Sequence, residues 1–204
     1  MKTYFMNNGD FDVRAMLTMG VSAKADDAIG YFGTGFKYAV AIILRMGGKI
    51  KVSTVSGVYE FTARTETIRD KEFEVVYCNG KEAGFTTRMG INWESWMAFR
   101  ELYCNAKDEA GETSDRMSAN WDTIIEVESA DIARCYRDRD DYFIESAPMH
   151  SGRHVDIHRG GKPFIYYRGI AVKNAWEDQK FSYNIKSNID LTEDRTAKYE
   201  HQVR

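Results

Sequence analysis

The chain has 204 residues, 43% of them apolar and 13% aromatic, enough to bury a full core in one domain or in one domain with an appendage. A formal net charge of −3 argues against the broad basic field that non-specific nucleic-acid or membrane-surface binding uses, while leaving room for a local basic patch. Cys78, Cys104 and Cys135 are odd in number and form no CxxC pair, and no apolar run approaches membrane-spanning length. A cytoplasmic protein without disulfides or structural zinc is expected, with no membrane segment and no indicated nucleic-acid partner.

Thr3 to Met6 reads as a short strand that stops at Asn7-Asn8-Gly9-Asp10, a turn by composition. A polar stretch through Ser22 and Lys24 leads to Ile29-Gly30-Tyr31-Phe32-Gly33-Thr34-Gly35, whose glycines open directly into Phe36 to Met46. That run is apolar nearly all round, as a buried helix would be, and Gly47-Gly48 ends it. From Lys49 the period changes to two: Ile50 and Val52, then Ser56-Gly57 and Val58 to Ala63, predict a hairpin. Phe73 to Tyr77, Asn79-Gly80 and the Thr86 to Met89 region predict a second pair of strands.

Asn92 looks like an N-cap for a helix from Trp93 to about Ala110, with Glu94 in its first turn. Lys107 to Asn120 reads as a helix end running into a loop, and Thr123 to Val127 as a strand. Asp131 to Arg139 fits a short charged helix or an extended excursion. Short strands at Val155 to Ile157, Phe164 to Tyr167, Ile170 to Val172 and Phe181 to Ile185 complete the chain, so the expected class is α+β.

Two features carry chemistry. A loop without β-carbons brings backbone N–H groups close to phosphate oxygens, and a following helix adds the positive end of its dipole; Gly30, Gly33 and Gly35 have that arrangement. A P-loop is excluded because Lys37 is followed by Tyr38, and plain helix packing explains the same glycines equally simply. On the later helix, Glu101, Asn105 and Asp108 fall at i, i+4 and i+7, hence on one face, opposite Trp96, Phe99, Leu102, Tyr103, Ala106 and Ala110. Such a face either points into a pocket or is the solvated side of a surface helix.

The string Glu101-Leu102-Tyr103-Cys104-Asn105-Ala106-Lys107-Asp108-Glu109-Ala110 resembles the N-box of the GHKL (Bergerat) ATPases, and Gly30-Tyr31-Phe32-Gly33-Thr34-Gly35-Phe36-Lys37 resembles their second glycine box. Between Asn7 and Gly30 the chain is similar to the first glycine box and its lid, with Leu17, Gly20, Ser22 and Lys24 at fitting places.

The order differs from the family's, whose N-box helix comes first. The resemblance therefore implies a circular permutation, cut at the turn that would join Thr123–Val127 to Thr3–Met6. The first glycine box also departs, reading Asn7-Asn8-Gly9-Asp10-Phe11 where the family has Asp-x-Gly-x-Gly. Asn7 can still accept a hydrogen bond from an adenine amino group, with weaker base selectivity, or Asp10 or Asp12 is the counterpart.

The resemblance implies a two-layer sandwich, a mixed sheet with helices on one face, in an ATP-binding domain over residues 1–130, followed by a strand-rich extension over 131–204. It implies ATP and Mg2+ as ligands, with Glu101 as the general base and Asn105 as the metal ligand. Asp108 supports the pocket, Asn7 and Gly9 lie at the base, and Gly30, Gly33 and Gly35 hold the phosphates with Lys24 or Lys37 as charge partner. Lys37 fits a snorkelling surface lysine equally well. The expected function is slow ATP hydrolysis with a nucleotide-controlled lid or dimer change. The alternative is a non-catalytic module that docks on a protein partner.

Two signals are set aside. His150, His154 and His158 recur every fourth residue, but His154, Asp156 and His158 fit the solvated face of a strand better than a metal site. Tyr166-Tyr167-Arg168 resembles a base-stacking group, but paired aromatics on a strand are commoner in a core.

Overall fold

A computed structural model describes residues 1–9, 34–175, 179–192 and 196–199. The chain divides into two compact units, Met1–Tyr136 and Arg137–Arg204. Together they form an α+β protein with one sheet in each unit. Among the described residues no helix is long and apolar enough to cross a membrane.

The first unit holds strands β1 (Lys2–Asn7), β2 (Lys49–Thr54), β3 (Gly57–Ile68), β4 (Lys71–Cys78), β5 (Lys81–Thr86), β6 (Glu112–Ser114) and β7 (Thr123–Glu128). They form one sheet in the order β5-β4-β3-β2-β7-β1-β6. Every pairing in it is antiparallel, so the expected mixed sheet is not found here. The reason is partly local: three of the six neighbouring pairs, β2–β3, β3–β4 and β4–β5, are joined by tight turns, such as Arg69-Asp70 and Asn79-Gly80 with their positive φ angles, and a tight turn can only reverse the chain.

Two helices, α1 (Gly35–Arg45) and α2 (Ser95–Asp108), cover one face of this sheet. Phe5 of β1 meets Phe99 of α2 with ring centroids 5.8 Å apart, and Phe61 of β3 meets Phe36 of α1 at 5.9 Å. The register puts Phe5, Ile125 and Val52 in one row and Thr3, Val127, Ile50 and Phe61 in the next, all on that side. The opposite side of the central strands carries charge: Lys2 pairs with Glu126 at 2.8 Å, Lys51 with Glu126 at 3.6 Å and Lys49 with Glu128 at 3.8 Å.

α1 is buried through Ala39, Val40, Ala41, Ile42 and Ile43, as an all-apolar run demands. It closes where Gly47 takes φ +74° and Gly48 donates to the Ile43 carbonyl at 2.9 Å. α2 starts later than the sequence suggests. Asn92 is not its cap; the chain turns at Gly90, with Trp93 N–H donating to its carbonyl at 2.9 Å, and extended Glu94 takes the N-cap position. Glu94 Oε2 accepts instead from the Trp96 indole at 2.9 Å. The strand expected near Thr86 to Met89 lies earlier, at Lys81–Thr86, because Arg45 holds the carbonyls of Thr87, Met89 and Gly90 in a loop.

A short helix α3 (Ala130–Arg137) follows β7, resolving the charged stretch as helical. The second unit has α4 (Arg139–Tyr142) and strands β8 (His150–Ser151), β9 (Val155–Arg159), β10 (Phe164–Tyr167), β11 (Ile170–Asn174) and β12 (Phe181–Ile185). Their order is β11-β10-β12-β9-β8, and this sheet is mixed, since β10 and β12 run parallel. Phe164 and Tyr166 face α4: Tyr142 packs on Phe164 at 5.4 Å, and the Tyr166 hydroxyl donates to the Asp141 carbonyl. Tyr166 is fully buried, which fits the core reading of that aromatic pair, whereas Arg168 lies over the half-buried Tyr167 ring at 5.1 Å.

Candidate functional site

The start of α1 and the middle of α2 meet at Gly35 and Glu101. A β-carbon placed on Gly35 would overlap Glu101 Oε2 and lie 2.6 Å from its Cδ. Only a residue without a side chain lets the carboxylate rest there. The juxtaposition brings a negative group to the amino end of a helix, where the macrodipole favours it. Glu101 is 2% exposed, so the polar face of α2 is not a solvated surface at this position.

Thr34 precedes the helix as its N-cap but makes no side-chain capping bond. It is 93% buried by its 7% exposure, and its Oγ1 has no hydrogen-bond partner among the described residues. A buried hydroxyl left without a partner costs of order 1–3 kcal/mol, which invites an acceptor or donor from beyond the described residues. Three residues on, Lys37 is 1% exposed. It is therefore no snorkelling lysine, and burial pushes its ammonium group below the usual lysine range.

The far end of α2 abuts the end of β1. Gly111 donates to the Ala106 carbonyl at 2.7 Å, and a β-carbon on Gly111 would overlap the Met6 carbonyl oxygen and lie 2.7 Å from Asn7 Cβ. Asn7 is thereby held beside the last turn of the helix that carries Glu101, Asn105 and Asp108, the latter two half-buried. The Asn7 amide donates to the Asn8 carbonyl at 3.1 Å. Gly9 is fixed from below: its N–H donates to Asp122 Oδ2 at 3.1 Å and its carbonyl accepts from Thr123 Oγ1 at 2.7 Å. Gly9 has φ +110°, a conformation that side chains avoid.

The α2 helix and the glycine just past it thus touch both early segments, the start of α1 through Glu101 and the Asn7 turn through Gly111. Lys24, Gly30 and Gly33, together with Asp10 and Asp12, lie outside the described residues. Sequence reasoning missed Arg100, the largest fully buried side chain, whose guanidinium lies 5.0 Å from the Trp96 ring centroid. The signal was available in the i, i+4 spacing of Trp96 and Arg100, which brings an arginine over an aromatic face.

The histidines do not gather. His158 is 4% exposed, contrary to the expected solvated face, because the segment that carries Ser146 lies against its ring. Its Nδ1 lies 3.4 Å from Ser146 Oγ, while Asp156 is engaged by Ser151 Oγ at 2.6 Å and Lys186 at 3.1 Å. Among the described residues no group of three His, Cys, Asp or Glu side chains could hold a metal ion. No family model, curated protein or solved structure matches this chain.

Proposed function

We propose that the first unit binds ATP with magnesium in a GHKL-type pocket of permuted order and hydrolyses it slowly. The observation that carries this reading is the contact of Gly35 with Glu101, which joins the glycine-box resemblance to the N-box resemblance in space. Three further observations support it. The Thr34 hydroxyl, without a partner among the described residues, and the buried Lys37 sit at the amino end of α1, a donor set that fits a phosphate. Asn7 is seated against the end of the same α2 helix. And β1 pairs antiparallel with β7 from Lys2↔Glu128 to Asn7↔Thr123, with Ser129 N–H donating to the Met1 carbonyl at 3.1 Å. Those two residues stand where the turn of an unpermuted hairpin would run.

In this reading Gly35, Thr34 and Lys37 receive the phosphates, and Asn105 offers its amide oxygen to the magnesium ion, which supplies charge neutralisation there. Glu101 takes the proton of the attacking water. Burial beside the helix start favours that role because it fixes the carboxylate without a competing solvent shell.

The same contact supports a second reading, in which Glu101 is the anion that neutralises the amino end of α1 and nucleotide is held without turnover. Thermal unfolding with and without ATP and magnesium tests binding, since a ligand specific to the folded state must raise the midpoint. Phosphate release by wild type and Glu101→Gln then separates the two. The hydrolase reading expects release to fall about 100-fold or more, in the range of a lost general base, with the ATP-induced thermal shift retained. Equal rates would leave binding alone, and no thermal shift would remove the nucleotide.

A further inference from the structure

The Gly9 peptide is tied through both of its polar groups to the strand beside it. Its N–H donates to Asp122 Oδ2 at 3.1 Å and its carbonyl accepts from Thr123 Oγ1 at 2.7 Å, from partners 113 and 114 residues away along the chain. Thr123 is the first residue of β7 and the register partner of Asn7. Asn8, Gly9 and Asp122 are exposed, while Thr123 is 1% exposed. Backbone groups at an exposed strand end are satisfied by water at little cost, so this clamp contributes order more than stability. The order is considerable, because a glycine at φ +110° has more conformational freedom to lose than any other residue.

On the nucleotide reading, on which this inference rests, phosphates at the start of α1 lie against Glu101. The end of the same helix, Asp108, stands seven residues on, an advance of about 10 Å. Asn7 is packed against Gly111, just past that end. A nucleotide lying along α2 with its phosphates at Glu101 therefore brings its base to the Asn7 turn. The Asn7 amide donates to the Asn8 carbonyl at 3.1 Å, and its Oδ1 remains an acceptor.

We infer that Asp122 and Thr123 are positioning residues for the base end of the nucleotide. They hold the Gly9 peptide, which fixes the Asn7–Gly9 turn and the direction in which Asn7 meets the base. Neither touches the ligand. Their contribution is preorganisation, since the turn is ordered before the nucleotide arrives. The phosphate end, built on Thr34, Gly35 and Lys37, does not depend on them.

The test is titration calorimetry of the full chain with ATP and magnesium, alongside steady-state phosphate release. Asp122→Ala and Thr123→Val each remove one of the two hydrogen bonds and should each weaken ATP binding about 3- to 10-fold. Asp122→Asn keeps an acceptor and Thr123→Ser keeps the hydroxyl, so both should bind ATP within about twofold of wild type. In the first pair the KM for ATP should rise while phosphate release at saturation stays within about twofold of wild type. Unfolding midpoints without nucleotide should match wild type in all four variants, because Gly9 is exposed and water replaces the lost partner. ATP bound as tightly by the alanine and valine variants as by wild type would overturn the inference and leave the nucleotide reading standing. So would a loss of binding in step with a loss of ligand-free stability. Equal weakening by Asp122→Asn and Asp122→Ala would also overturn it, by making the carboxylate charge itself the binding group. No ATP binding by wild type would instead remove the nucleotide reading, and this inference with it.

Discussion

Gly35 and Glu101 stand so close that a single added carbon would occupy the place of a carboxylate oxygen. The obstacle is the far end of a flexible side chain, so Gly35→Ala should displace the Glu101 carboxylate rather than break the fold. We expect a stability loss of about 1 kcal/mol or less and at least a tenfold fall in phosphate release, because a base moved by an ångström loses its alignment. Chemical denaturation and single-turnover hydrolysis check the two halves. In a Glu101→Ala background the stability cost should vanish, and a cost that persists there would break the proposed coupling.

Gly111 gives the contrasting case, since its neighbour is the Met6 main-chain oxygen rather than a side chain. Backbone cannot step aside without moving β1 or the end of α2. Gly111→Ala should therefore cost about 2–3 kcal/mol by overpacking and shift Asn7 with it. A denaturation midpoint within error of wild type would contradict this.

Lys37 links stability to pH and to binding. Burial holds its folded pKa below the unfolded value, so between those two values the unfolded chain carries more protons. Stability then rises with pH through that window. Lys37→Met should flatten that rise and abolish most of the thermal shift from ATP, both measured by thermal unfolding. A variant still shifted by ATP to the wild-type extent would remove the phosphate role.

Glu126 behaves in the opposite sense. Partial burial raises its pKa, but the hydrogen bond from Lys2 and the charges of Lys51 and Lys2 outweigh that and leave it below the usual carboxylate value. Its contribution is therefore present above the unfolded glutamate pKa and disappears as pH falls through the folded one. Glu126→Gln should cost less than about 1 kcal/mol at neutral pH, because exposed lysines are screened, and should flatten part of the acid-side loss. Equal pH profiles for the two proteins, measured by urea unfolding, would refute it.

Legibility followed the strength of periodicity. β1, α1, the β2–β3 hairpin and the four longer strands of the second unit were all readable, since their apolar positions repeat with one period over several residues. β6 and β8 were not, being three and two residues long. β3 runs five residues past the expected Ala63 because its outer half, Arg64 to Ile68, pairs only with β4 and carries no buried stripe. In the site, the shared face of Glu101, Asn105 and Asp108 was legible, but its depth was not. Nothing local distinguishes a carboxylate under a helix start from one in water; that depends on where α1 lands. The burial of Lys37 and Arg100 was hidden for the same reason.

The placement of β1 bears on how the chain comes together. Tyr4 pairs with Ser114 and Lys2 with Glu128, so a strand made early finds no neighbour until residues far along have been synthesised. During that interval an apolar ribbon of Tyr4, Phe5 and Met6 waits with its edges open, a state that slows assembly and invites clumping. A direct connection between these two strands would shorten that wait.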